Sequence, residues 1–247
     1  MVEVTPRAPR ARAAIFDMDG LLVDSEPFWR SVQTAELAAL GSDVVPIIER
    51  GLIKGMRVDE TVALFRNLAP FQGPSDEALI ARIVAGVVAE IEAHAVLMPG
   101  ALEALDRLEA AGLKLALASG SVPPVVDAVL DRFVLRERFL AVSSAIDDPL
   151  GKPHPAIFLR TAEALGVDAL DCVVLEDSIN GVIAAKAAKM RVIAVPAAAD
   201  LPDPRFAVAD VVLSSLEEIA TPAAARVLGF VPGARSPDER EFAAEAY

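Results

Sequence analysis

Apolar runs of four or five residues alternate along the chain with longer stretches in which apolar positions return every three or four residues. The short runs are Ala13 to Phe16, Lys114 to Ala118, Ala141 to Ser144, Cys172 to Leu175, Arg191 to Val195 and Asp210 to Leu213. They have strand length, and their near-continuous apolar character fits parallel strands buried on both faces. Helical periodicity fills the intervals at Ala101 to Ala111, Val125 to Arg132, Ala156 to Leu165 and Ile179 to Lys189. Strand–helix alternation of this kind predicts an α/β fold with an open, doubly wound parallel sheet, Rossmann-like in layout.

One stretch breaks the alternation. Residues 26–94 carry helical periodicity and no convincing strand, with turn signals at Gly41, Pro46, Gly55, Pro70 and Gly73–Pro74. A helical module inserted between the first and second strands would stand over the C-terminal edge of the sheet, where open α/β folds bind ligands. The expected organisation is therefore a core of residues 1–25 and 95–231, an α-helical cap domain of residues 26–94, and a polar tail at 232–247.

Composition narrows the function classes. The formal net charge of −13 opposes non-specific binding to nucleic acid or anionic membranes. A phosphorylated substrate would meet the same field, so its site must supply local positive charge. Cys172 is the one cysteine, which excludes an internal disulfide and a cysteine-built metal cluster, and suits a reducing cytoplasm. Buried in a strand pattern, it is expected to pack. Met1 to Arg12 lacks the apolar segment of a secretory signal, and charges interrupt every long apolar run, so no membrane span is expected.

Polar residues that could do chemistry collect where strands end. After the first strand come Asp17-Met18-Asp19-Gly20, two carboxylates that a turning chain can aim the same way. Ser119-Gly120-Ser121 follows the second strand and opens a helix, where backbone N–H groups can hold a phosphate. Gly151-Lys152-Pro153-His154-Pro155 places a lysine ahead of the next helix, and Glu176-Asp177-Ser178 ends the fourth strand with adjacent acids. Each segment alone fits a polar loop, a helix cap or a solvated lysine. Their coincidence at the C-terminal ends of successive strands supplies carboxylates, an anion-binding turn and a cation, as metal-assisted phosphoryl transfer to a carboxylate requires.

With FDMDGLLVDSEP at residues 16–27, LASGS at 117–121, GKPHPAIF at 151–158 and VVLEDSINGVIAAKAAKM at 173–190, the chain resembles the haloacid dehalogenase superfamily, in its helical-cap phosphatase and phosphomutase branch. The resemblance implies a Mg2+-dependent phosphatase. Asp17 would be the nucleophile that forms an aspartyl-phosphate, and Asp19 the general acid and base. The metal would be held by the Asp17 and Asp177 carboxylates and the Asp19 backbone carbonyl, with Glu176 behind them. Asp17, Met18, Asp19, Ser119, Gly120 and Lys152 would surround the phosphate. Glu26, Trp29, Lys54 and Arg57 would be the candidate cap contacts to the rest of the substrate. The implied partner is a small phosphorylated sugar or polyol, with hexitol phosphates and 2-deoxyglucose 6-phosphate first, and the expected state is a cytoplasmic monomer.

A β-phosphoglucomutase-like activity is the nearest rival. Such mutases carry a histidine ten residues after the second aspartate, where this chain has Trp29. A true dehalogenase needs neither Asp19 nor the acids at 176–177, and a catalytically dead binding protein would be expected to lose a carboxylate that this chain keeps. His94 and His154 have no assigned chemistry, His154 being expected to cap or pack locally. One departure from the family pattern is Lys189, where many relatives have glycine.

Overall fold

A computed structural model of the chain describes residues 10–230, so the tail at 232–247 lies outside the described residues. Six strands form one parallel sheet in the order β3-β2-β1-β4-β5-β6. They are β1 (Ala13–Phe16), β2 (Lys114–Ser119), β3 (Ala141–Ser144), β4 (Cys172–Glu176), β5 (Arg191–Ala194) and β6 (Val211–Val212). The strand order reverses between β1 and β4, whose C-terminal ends therefore flank the crevice of a doubly wound sheet.

Period-two alternation divides the strands between two cores. Ala14, Phe16, Leu115, Leu117, Val173 and Leu175 point into one, while Ala13, Ile15, Ala116, Ala118, Cys172 and Val174 point into the other. The first core runs on without interruption into the helical insert, through Leu37, Val58, Phe65, Leu79 and Ile83.

That insert lies between β1 and β2 and consists of α1 (Glu26–Ala39), α2 (Val45–Glu49), α3 (Val58–Leu68) and α4 (Asp76–His94). Pro46, taken from sequence as a turn signal, instead sits in the first turn of α2, where a missing N–H costs nothing. The two linkers to the insert pair with each other: Asp24 donates to the Val96 carbonyl at 3.0 Å and Met98 to the Leu22 carbonyl at 2.9 Å. The remaining helices are α5 (Ala101–Ala110), α6 (Pro123–Arg132), α7 (Ala156–Leu165), α8 (Ile179–Ala187) and α9 (Pro222–Leu228). Among the described residues no helix is long and apolar enough to cross a membrane.

Lys189 has φ 62°, in the left-handed region. It is the residue that closes α8: the Met190 N–H reaches back to the Ala185 carbonyl at 3.0 Å, a closure that glycine usually serves. The side chain there is tolerated at a cost of about 1 kcal/mol.

Candidate active site

β1 ends on Phe16, and the Asp17 N–H still donates to the Leu175 carbonyl of β4 at 3.0 Å, so the first carboxylate leaves the sheet beside the end of β4. Gly20, with φ 77°, turns the chain back. A Cβ at Gly20 would stand 2.5 Å from Asp177 Oδ2, which is why that turn can lie so close to the second acid.

Lys152 is fixed at the centre. Its Nζ donates to Asp17 Oδ1 at 2.5 Å, to Glu176 Oε1 at 2.5 Å and to the Ala118 carbonyl at 3.2 Å. The side chain is only 1% exposed and lies over the Phe158 ring at 5.0 Å. All three acceptors come from strand ends, so the ammonium knits β1, β2 and β4 together. Glu176 is saturated: Oε2 accepts both the N–H and the hydroxyl of Ser178 at 3.0 Å each. Ser178 also caps α8 by accepting the Gly181 N–H at 3.0 Å.

Asp19 sits among neutral donors. Its Oδ1 accepts from Ser25 Oγ at 2.5 Å and Trp29 Nε1 at 3.2 Å; its Oδ2 accepts from Ser121 Oγ at 2.7 Å and Ser119 Oγ at 3.2 Å. Ser25 precedes α1 in the N-cap position, yet its hydroxyl makes no cap hydrogen bond. The position alone would predict an ordinary cap, and the hydroxyl goes to the carboxylate instead. Ser119, expected beside phosphate, is fully buried here and bonded to Asp19, while Gly120 and Ser121 line the open cavity.

That cavity, about 530 Å³, is floored by Asp17 and Asp19 and walled by the insert. Glu26, Trp29 and Lys54 line it, together with Asp24, Glu49 and Asp200. Arg57 does not. Its guanidinium points to a neighbouring loop, donating to the carbonyls of Asp148 at 2.7 Å and Ala145 at 3.2 Å. Met18 is fully buried. Lys54 Nζ lies 2.8 Å from both Asp177 Oδ2 and Asp200 Oδ2. The sequence pointed to neither Ser25 nor Asp200 as part of the site; the DSEP segment was the available signal for Ser25.

Burial dominates the electrostatics. Removal from water raises the Asp17 pKa well above the carboxylate range, against the pull of Lys152 and with the push of Glu176, Asp177 and Asp19. Asp177 is pushed up to about 7 by burial, opposed by Lys54 and reinforced by Glu176. Burial also lifts Glu26, with Asp19 adding to it. For Lys54 and Lys152 burial acts downward, but their carboxylate partners outweigh it and both stay protonated. Asp17 and Glu176 thus share the Lys152 ammonium, and Asp177 shares that of Lys54 with Asp200. Carboxylate oxygens of Asp17, Glu176 and Asp177 lie within 4.8 Å of one another, a cluster able to hold a metal ion. Asp177 Oδ2 is buried, and the Lys54 ammonium stands 2.8 Å from it as an ion pair. A hard cation suits such an all-oxygen set.

The remaining candidates are structural. Cys172 is buried in β4 and its thiol is pushed up to about 12 by burial, which suppresses the thiolate. His154 Nδ1 accepts the Ala156 N–H at 3.3 Å, a local cap on α7.

A parallel sheet with acids at the β1 and β4 ends and a buried lysine between them defines the class, and comparison with known proteins supplies the family. The model of haloacid dehalogenase-like hydrolases matches residues 11–189. This chain belongs to that family. It is 46% identical over 215 residues to hexitol phosphatase B of Escherichia coli (strain K12), covering 87% of this chain and 96% of that protein. The crystal structure of CbbY from Rhodobacter sphaeroides in complex with phosphate is similar at TM-score 0.78 and 29% identity, over 87% of this chain and 98% of that one. A β-phosphoglucomutase from Clostridium difficile shares the fold at TM-score 0.76 and 21% identity, over 88% and 97% of the two chains.

Proposed function

We propose that this protein is a magnesium-dependent phosphatase that hydrolyses monophosphates of hexitols and related sugars through an aspartyl-phosphate on Asp17. The observation that carries this reading is the placement of Lys152 Nζ 2.5 Å from Asp17 Oδ1 at the base of a cavity that Asp19 also lines. With Oδ1 held, Asp17 Oδ2 is the oxygen that attacks phosphorus as the ester P–O bond breaks. Asp19 gives a proton to the leaving alcohol and then takes one from the water that cleaves the acyl phosphate, releasing inorganic phosphate. Lys152 offsets charge on the transferring group, and Gly120 presents its backbone N–H to the phosphate oxygens, while the Ser121 N–H is held by Ser119 Oγ at 3.0 Å. The Asp17 and Asp177 carboxylates with the Asp19 carbonyl would hold Mg2+, which supplies charge neutralisation and alignment of the phosphoryl group.

The cap contributes Glu26 and Trp29 to the substrate side, and cap boundaries at residues 26 and 94 belong to this reading. Carboxylates at Asp24, Glu26, Glu49 and Asp200 suit the hydroxyls of a polyol chain. Trp29 supports hydrolysis over phosphate return, because its indole N–H donates to Asp19 where a mutase would place a titrating ring. The test is phosphate release from a panel of hexitol, hexose and deoxyhexose phosphates with and without Mg2+. Turnover that requires Mg2+, favours polyol phosphates and falls at least about 10³-fold in Asp17→Asn is expected; equal rates for the two proteins would remove the enzyme reading.

The metal assignment has its own readout in stability. Since the folded-state pKa of Asp177 is raised to about 7, its contribution is fully present below the unfolded value of 3.8 and is lost as pH rises through about 7. A cation binds the ionised form and compensates for that loss. Millimolar MgCl2 should therefore raise the melting temperature by several degrees at pH 8 and hardly at all at pH 5. A thermal shift of equal size at both values would contradict the assignment.

A further inference from the structure

Two residues at the start of α3, Arg57 and Glu60, reach across to the core at a place where neither lines the cavity. Glu60 Oε1 accepts the backbone N–H of Gly151 at 2.9 Å. Arg57 donates from Nη1 to the Asp148 and Ala145 carbonyls, and its Nε is held by Asp59 Oδ1 at 2.9 Å. The cap thus grips residues 145–151, the segment that delivers Lys152. On its other side the segment is anchored to α7, where Arg160 bonds both Asp148 carboxylate oxygens at 2.9 and 3.0 Å. Gly151 fits the grip for lack of a side chain: a Cβ there would stand 2.6 Å from Glu60 Oε2 and 3.0 Å from Arg57 Cδ.

We propose that Glu60, with Arg57, is a positioning latch that couples cap docking to the placement of Lys152. Glu60 acts through the backbone one residue before the lysine, and only a docked cap brings it there. The core alone fixes the far side of the segment through Arg160; the near side is completed by the cap. Substrate binding under the cap and the readiness of the ammonium that offsets phosphoryl charge are then one event. The catalytic half of this inference rests on the phosphatase reading, whereas the latch itself does not.

The test separates the two. In the full chain, Lys152 is 1% exposed and should resist an amine-reactive reagent such as acetic anhydride. In Glu60→Leu, which removes the acceptor and keeps the bulk, labelling of Lys152 followed by mass spectrometry should accelerate about tenfold, the worth of one well-formed hydrogen bond to a carbonyl-type acceptor. On the best sugar phosphate kcat should fall by a similar factor, with KM changed less than about threefold. Glu60→Gln, which keeps a carbonyl acceptor, should behave as the parent protein in both measurements. Arg57→Met should reproduce the labelling and decides the matter if Glu60→Leu does not fold. Unchanged labelling in these variants, or acceleration that Glu60→Gln shares with Glu60→Leu, would overturn the latch. Accelerated labelling in a protein that releases no phosphate from any substrate would leave the latch standing and remove the phosphatase reading.

Discussion

Lys152→Met should cost about 3–5 kcal/mol of stability at neutral pH and at least about 10²–10³-fold in turnover. The side chain has nearly the right length and hydrophobic stem, so the loss is of charge more than of volume. What remains is Asp17 beside Glu176, both buried and without their shared ammonium. Breaking a buried ion pair from one side leaves the other charge uncompensated, and here two charges are left. Burial already raises the Asp17 pKa with Lys152 opposing it; without the lysine it rises further. A raised folded-state carboxyl contributes stability at low pH and loses it as pH climbs, so the deficit of the variant should shrink on acidification toward pH 4. Urea denaturation at pH 4.5 and 7.5 alongside phosphate release checks both halves. A variant as stable as the parent at pH 7.5 would mean that the three-way contact contributes little to the fold.

The strands and motifs that build this site were legible because their causes are local. β1, β3 and α7 have the bounds that apolar spacing predicts, and β4 runs one residue further, to Glu176, because the backbone there still pairs with Ala194 of β5 and its carbonyl accepts the Val195 N–H at 2.7 Å. The open parallel sheet followed from the alternation of elements, and the gathering of Asp17, Lys152 and Asp177 from chemistry collecting at strand ends; the strand order itself comes from the structure. Other features depend on where long side chains reach after the insert docks, which no local pattern encodes. Lys54 pairs with Asp177 and Asp200, more than a hundred residues away, and Arg57 turns to the Lys152 segment instead of the cavity. Hydroxyl roles were equally hidden, since Ser25 and Ser119 serve Asp19 and a rotation about one bond decides such a partner.

Gly181→Ala should destabilise the protein by about 2–3 kcal/mol and lower turnover about 100-fold, although helix propensity alone argues the opposite. Gly181 is in the first turns of α8, where alanine is favoured over glycine by about 1 kcal/mol. A Cβ added there would overlap the carboxyl carbon and both oxygens of Glu176. Retreat is blocked, because one oxygen is held by Lys152 and the other by the N–H and hydroxyl of Ser178, all within a fully buried pocket. Steric overlap in a close-packed interior outweighs the propensity gain, so either α8 shifts or Glu176 lets go of Lys152. In the second case the ammonium beside Asp17 loses one of its anchors, and the damage is carried to the nucleophile from a residue that touches no substrate. Shortening the acid gives the decisive comparison: Glu176→Asp combined with Gly181→Ala should be more stable than the sum of the two single losses, by about 1 kcal/mol or more in a double-mutant cycle. Thermal and urea unfolding measure it directly. A Gly181→Ala protein more stable than the parent would show that Glu176 is free to move, and that the contacts holding Lys152 are looser than this geometry requires.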